Sequence, residues 1–251
     1  MAMTNPAGST VAASAPGDER IERRKLSDAV FDRLKASILS GELPVGAPLP
    51  SERVLMERLG VGRPAVREAM QALAGLGLIS ISHGERARVR QLTPDSLFRQ
   101  IDLPAQLMLQ ASSRSLRHLL DARSFFERGM VREAAARARE ADVARLSAIL
   151  AEQREASGEI ARFIERDMAF HTEIASIAGN PILEAVSRAM LGWLRQYHTE
   201  MLHWSGNENV TVAEHGLIIA RIAANDPDGA EREMTGHLER SSSLFVHRHD
   251  R

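Results

Sequence analysis

Leu49-Pro50-Ser51-Glu52-Arg53, followed by Val61-Gly62-Arg63-Pro64-Ala65-Val66-Arg67-Glu68-Ala69, is the stretch on which the fold of the N-terminal third turns. Ser51 offers its hydroxyl as an N-cap to a short helix carrying Leu55 and Leu59, and Gly60 stops that helix. Pro64 sits where a first helical turn tolerates a residue without an N–H, and the helix it opens runs through Val66, Met70 and Leu73 toward Gly77. Upstream, Val30, Phe31, Leu34, Ile38 and Leu39 recur at helical spacing until Gly41, and Pro44, Gly46, Pro48 and Pro50 mark a loop. Downstream, residues 78–82 and 86–90 alternate around His83-Gly84-Glu85, the pattern of a β-hairpin.

Three helices followed by a hairpin form the layout of a winged helix-turn-helix, whose third helix fits a major groove about 12 Å wide. The residue chemistry agrees with that use. Arg63 and Arg67 are four apart and share a helix face, and the planar fork of arginine matches guanine O6 and N7. Arg53 stands near the start of the preceding helix, within reach of phosphates or base edges, and His83 and Gly84 at the hairpin tip could enter the adjacent minor groove. Residues 20–90 carry 13 Lys and Arg against 8 Asp and Glu, whereas residues 91–251 carry 19 against 23. The first part attracts a polyanion and the second does not.

The remaining sequence sets outer bounds. At 251 residues, 44 % hydrophobic and 26 % charged, the chain has globular composition and room for two domains. It has no cysteine, so any metal site must be built from His and carboxylates. No apolar run approaches the ~20 residues of a membrane span, and no signal-peptide pattern opens the chain, so a soluble, cytoplasmic protein is expected. Residues 1–25 are expected to form a flexible arm, 26–92 the winged helix-turn-helix and 93–251 an all-helical domain. In that last part Pro94, Pro104, Gly158, Asn180-Pro181, Gly206-Asn207 and Asp226-Pro227 punctuate six or seven helices.

Asp167 and His171 lie four apart on one expected helix, and His215 and His237 fall on the inward faces of two later ones. One carboxylate and three imidazoles suit Zn²⁺, and also Ni²⁺ or Mn²⁺ if the coordination expands. Spacing alone leaves Asp167 and His171 equally readable as a structural pair. Trp193, Tyr197 and Trp204 share one amphipathic helix and read as core or dimer contacts before pocket walls.

The quoted stretch, with Gly75-Leu76-Gly77-Leu78-Ile79, resembles the signature of the GntR family of bacterial regulators. The resemblance implies DNA contacts from Arg53, Arg63 and Arg67, with Gly84 at the wing tip. Family members often carry Ser or Thr beside the first recognition-helix arginine, where this chain has Gly62 and Pro64. Phe163 to His171, Ala178-Gly179-Asn180-Pro181, Glu214-His215-Gly216 and Thr235-Gly236-His237-Leu238 resemble the FCD sensor domain of the FadR branch of that family. That implies Asp167, His171, His215 and His237 as ligands of a metal at the base of a cavity. It leaves His118, His198, His203, His247 and His249 without a ligand role.

Arg123, within Asp121-Ala122-Arg123-Ser124-Phe125-Phe126-Glu127, resembles the position from which such domains present an arginine to their effector; an ion pair with Glu127 accounts for it equally well. Val61-Gly62-Arg63-Pro64 and the run from Ser82 to Val89, together with the N-terminal arm, are similar to the family's regulators of sialic acid catabolism, which implies N-acetylneuraminate as effector. The expected partners are therefore double-stranded operator DNA, a small acidic metabolite and a second copy of the chain. Two other readings stay open on the residues: a metal-dependent hydrolase, since Asp and His ligands can activate water, and a DNA-binding protein whose metal is purely structural.

Overall fold

The computed structural model describes residues 24–205 and 208–249, without the side chains of 113, 196–205 and 244–249. The expected N-terminal arm falls, but for its last two residues, outside the described residues, as do the side chains of Tyr197, His198, His203, Trp204, His247 and His249. The chain divides into two compact units, Met1–Arg90 and Gln91–Arg251. Among the described residues no helix is long and apolar enough to cross a membrane.

In the first unit, α1 (Leu26–Leu39), α2 (Glu52–Leu59) and α3 (Arg63–Gly75) precede a small hairpin of β1 (Ile79–Ser80) and β2 (Arg88–Val89). The backbone N–H of Val54 donates to Ser51 Oγ at 3.3 Å, which caps α2, and Gly60 ends it in the left-handed region at φ +65°. Pro64 occupies the first turn of α3. That helix buries Val66, Ala69, Met70 and Leu73, a stripe of period 3.6, against Val30 and Leu34 of α1 and Leu55 of α2. Ile79 and Val89 close this core from the hairpin.

The strands are shorter than the alternation of residues 78–82 and 86–90 suggests. Ile79 pairs with Val89 and Ser80 with Arg88, and the ladder stops there. On its other side this segment pairs with the loop after α1: Leu49 N donates to Ala87 O at 2.7 Å, and Gly46 N to Val89 O at 2.9 Å. Residues 86–90 alternate because they lie between two partners, whereas Ile81, half-exposed, has left the sheet.

The second unit holds eight helices among the described residues: α4 (Pro94–Gln100), α5 (Asp102–Gln110), α6 (Ser113–Arg137), α7 (Glu140–Glu155), α8 (Ile160–Ile177), α9 (Pro181–Ser205), α10 (Glu208–Ala223) and α11 (Pro227–His249). That exceeds the six or seven read from Pro and Gly. The break before α5 carries Pro104 in the helix's first turn, but the one before α6 falls at Ser112, an N-cap whose Oγ accepts from Arg114 N, and the one before α7 at Ala138 and Arg139, and neither of these involves Pro or Gly. The principal core joins α6, α7, α8, α10 and α11 through Val131, Leu146, Phe163, Phe170, Ile218 and Met234. A satellite core gathers Leu109, Leu116, Leu120, Met190 and Leu194 from α5, α6 and α9. Arg128 and Arg132 of α6 tie its outer face to Glu231 of α11.

Candidate metal centre and nucleic-acid interface

Inside the principal core four polar side chains meet where the apolar stripes of the helices would otherwise touch. Asp167 and His171 stand one turn apart on α8, with His215 on α10 and His237 on α11; the three imidazoles are at most 4 % exposed. His171 Nε2 and His237 Nε2 are 3.3 Å apart. Asp167 Oδ1 is 3.6 Å from His215 Nε2, and Asp167 Oδ2 is 3.9 Å from His171 Nε2. One ligand-capable atom from each histidine lies within 4.8 Å of the others.

Each ring is oriented by a group behind it. An ionised Asp167 only accepts, so the Gln153 amide must turn its Nε2 toward Asp167 Oδ1, at 3.2 Å. Its Oε1 then faces His215 Nδ1, at 2.8 Å, which places the proton on Nδ1 and leaves Nε2 bare. His237 Nδ1 donates to Glu214 Oε2 at 2.8 Å. His171 Nδ1 lies against Glu127 Oε2. All three rings therefore turn Nδ1 outward onto an oxygen and Nε2 inward.

Burial holds His215 well below the usual imidazole range, reinforced by the nearby His237, His171 and Arg123. His237 is lowered too, again first by burial, against the pull of Glu214. Neutral imidazoles with converging lone pairs repel one another unless a cation sits between them. Burial works to raise Glu214, but hydrogen bonds from His237 and Arg240 outweigh it and bring the group to about 2. Burial is likewise outweighed at Glu127, where Arg123 and His171 hold the carboxyl well below its usual range.

These residues fit a divalent metal on two counts. His215 Nε2 is a buried nitrogen with no hydrogen-bond partner among the described residues, an arrangement that costs about 1–3 kcal/mol unless something binds it. Nitrogens bound at about 2.0–2.1 Å to one tetrahedral zinc lie roughly 3.3–3.4 Å apart, the separation of the His171 and His237 nitrogens.

Arg123 lies beside this cluster, 2 % exposed, and donates from Nε to Glu127 Oε1 at 2.5 Å. The ion pair read from their spacing is thus present, and Arg123 Nη2 is buried without a hydrogen-bond partner among the described residues. A cleft of about 530 Å³ between α5, α8 and α9 is lined by Ile164, Met168, Trp193 and Arg195 among others, and by none of the four metal candidates. Trp193 packs on the satellite core and donates from Nε1 to Asp102 Oδ1 at 2.9 Å. His118 is exposed.

Sequence reading missed Gln153, Glu127 and Glu214 as the groups behind the rings. Gln153 was visible as the polar member of the α7 stripe Leu146, Leu150, Gln153, and Glu214 as the neighbour of His215. Glu127 was read only as the partner of Arg123.

In the first unit the candidate DNA-contacting side chains are exposed. Arg63 and Arg67, in the first turns of α3, have side chains 61 % exposed, and Arg53 75 %. Arg53 Nη1 pairs with Glu57 Oε1 at 2.7 Å, one turn along α2. Glu52 of α2 is shared by the other two: Arg67 Nε lies 2.9 Å from Oε1 and 3.1 Å from Oε2, and Arg63 Nε 3.7 Å from Oε2. His83 and Gly84 are exposed in the turn joining the strands. Gly84 has φ +77° with open space around it, so the left-handed backbone, not crowding, selects glycine.

Comparison with known proteins follows the same division. The family model described as bacterial regulatory proteins, gntR family, matches residues 26–89, and the FCD domain model matches residues 118–240. The HTH-type transcriptional repressor NanR of Cronobacter sakazakii is 37 % identical over 92 % of this chain and 88 % of its own length; that of Klebsiella aerogenes is 38 % identical over 90 % and 87 %. Among solved structures, Streptococcus agalactiae GntR superposes with a TM-score of 0.55 at 22 % identity, covering 86 % of this chain and 98 % of that one. E. coli McbR/YncC gives 0.51 at 19 %, covering 90 % and 100 %. At such identities the superpositions speak for the fold alone. With both domain matches in place and full-length relatives above 30 % identity, the chain belongs to the GntR family of bacterial transcription regulators, in its branch with an FCD domain.

Proposed function

We propose that this regulator is a homodimeric repressor that holds operator DNA through residues 26–92 and is released when a small acidic metabolite binds within residues 93–251. The observation that carries the DNA half is the pair Arg63 and Arg67, exposed on one face of the first turns of α3. Two copies would set two such helices in successive major grooves, about 34 Å apart. Arg53 supports them from α2, and the hairpin turn at His83 and Gly84 reaches for the minor groove. The arm, residues 1–25, and a cytoplasmic location belong to the same reading.

In the sensor, Asp167, His171, His215 and His237 would hold a divalent ion, with zinc favoured by the donors and nickel or manganese compatible. Bound there, the ion supplies a Lewis-acid site for a carboxylate. The protein's own groups do the rest: Glu127, Gln153 and Glu214 fix the rings, and the buried Arg123 Nη2 offers a second cationic contact to an anion. An acidic ligand is the chemistry that such a pair of positive groups selects, and N-acetylneuraminate is the first to test. Membership of a regulator family decides against the hydrolase reading.

Fluorescence anisotropy on the DNA upstream of its own gene, at fixed salt, tests the proposal. Tight binding that exceeds binding to a shuffled duplex, and release by N-acetylneuraminate only before chelation, is the expected result. Binding that ignores this and other sugar and hydroxy acids would overturn the effector half, and equal affinity for shuffled DNA the operator half.

A further inference from the structure

Among the described residues Glu52 is the acidic side chain that meets both recognition-helix arginines, and it does what a surface facing DNA would be expected to avoid. It brings a negative charge under the groups that must meet phosphates and bases. Its carboxylate takes both contacts to Arg67 through the same nitrogen, Nε, at 2.9 and 3.1 Å, and reaches Arg63 at 3.7 Å. The Nη1–Nη2 edge of Arg67, the end that pairs with guanine O6 and N7, is not the edge the carboxylate occupies.

The exposures set an order of approach. The Glu52 side chain is 31 % exposed against 61 % for each arginine, so an incoming duplex meets the guanidinium groups before the carboxylate. Glu52 is moreover anchored in the first turn of α2, where the helix dipole favours an acid. A long arginine side chain is thereby fixed from behind by a residue on another helix, and its rotamer freedom is spent before DNA arrives.

We infer that Glu52 is a specificity-determining positioning residue: it holds Arg67, and secondarily Arg63, in the pose that reads a base pair, at the cost of weaker binding to DNA in general. This rests on the DNA-reading proposal above. It makes two predictions of opposite sign. Removing the charge strengthens attachment to any duplex, because a repulsion with phosphate disappears. Removing the clamp weakens discrimination at the base pair that Arg67 reads, where a bidentate arginine–guanine pair is worth about 5- to 150-fold.

The test uses the full-length, metal-loaded protein. Wild type selects its preferred site from a randomised duplex pool. Anisotropy at one salt concentration then compares wild type, Glu52→Gln, Glu52→Asp and Arg67→Ala on the selected site, its single-base-pair variants and an unselected duplex. Glu52→Gln should bind the unselected duplex more tightly than wild type while losing about threefold or more of the preference at the pair that Arg67→Ala also loses. Glu52→Asp, which keeps the charge but shortens the reach, should leave the unselected duplex at wild-type affinity and still lose part of that preference.

Equal shifts on every duplex would reduce Glu52 to a surface charge and overturn the inference. So would a lost preference at a different base pair, which would make Glu52 a base reader itself. If wild type enriches no site, the DNA-reading proposal fails and this inference falls with it, in an arm that contains no variant.

Discussion

The two units place their polar chemistry in opposite settings. In the first, Arg53, Arg63 and Arg67 stand in solvent, each beside a carboxylate on α2, and the apolar core beneath them is complete without them. In the second, Asp167, His171, His215 and His237 interrupt the core, and the groups that orient them, Glu127, Gln153 and Glu214, come from three different helices. An exposed site can change without cost to the fold, because water replaces any lost partner. A buried polar site is part of the fold, because nothing replaces a lost partner there.

Substitutions in the buried site should therefore break stability first. Arg123→Ala leaves the Glu127 carboxylate buried without its principal partner and is expected to cost about 3–5 kcal/mol in a urea melt. A cost under about 1 kcal/mol would mean that water reaches the pair. Phe170→Ala removes a fully buried ring stacked on His215, with centroids 3.9 Å apart, and should cost about 3–5 kcal/mol as well as loosening that imidazole.

Metal removal sharpens the contrast. Chelation should lower the stability of the second unit, by about 2.7 kcal/mol if free metal stood at a hundredfold its Kd, and leave that of the first unit unmoved. Calorimetry that found both units unaffected would count against a resident ion.

At the exposed site, Arg63→Ala should leave stability within about 0.5 kcal/mol. It should cost about 1–3 kcal/mol of operator binding, with preference relaxed at one base pair. Equal losses on operator and shuffled DNA would assign Arg63 to phosphate.

The smallest effect belongs to a surface network of the second unit. Hydrogen bonds from Arg128 and Arg132 hold Glu231 below its ordinary value of 4.5. A depressed carboxyl contributes stability above its unfolded value and loses it as pH falls through the folded one. The stability difference between wild type and Glu231→Gln should thus be present at neutral pH and fade below about pH 4.5. A difference that grew on acidification would contradict this.

How far the sequence could be read follows the same contrast. Local devices were legible because their signals are adjacent in the chain: Ser51 caps α2, Gly60 ends it, and Pro64 opens α3. Asp167 and His171 were legible as a pair one helical turn apart. Contacts between helices were not. Glu52 meets Arg67 across 15 residues and Gln153 meets His215 across 62, and no periodicity links such positions. The strands were overread because residues 86–90 alternate for a second partner, the loop after α1, that hairpin reasoning does not consider. The breaks at Ser112 and at Ala138 and Arg139 carry neither Pro nor Gly and so had no signal of the kind used.

The central claim is that the buried site governs the exposed one, and one measurement reaches it most directly. Operator affinity of metal-loaded wild type and of His215→Ala is followed by anisotropy at fixed salt as N-acetylneuraminate is titrated. His215 belongs to the buried cluster and lies in the second unit, so at a temperature where circular dichroism finds both proteins folded, equal DNA affinity is expected without added ligand. On titration, wild type should lose DNA and His215→Ala should retain it. Release of both proteins at the same effector concentration would contradict the account.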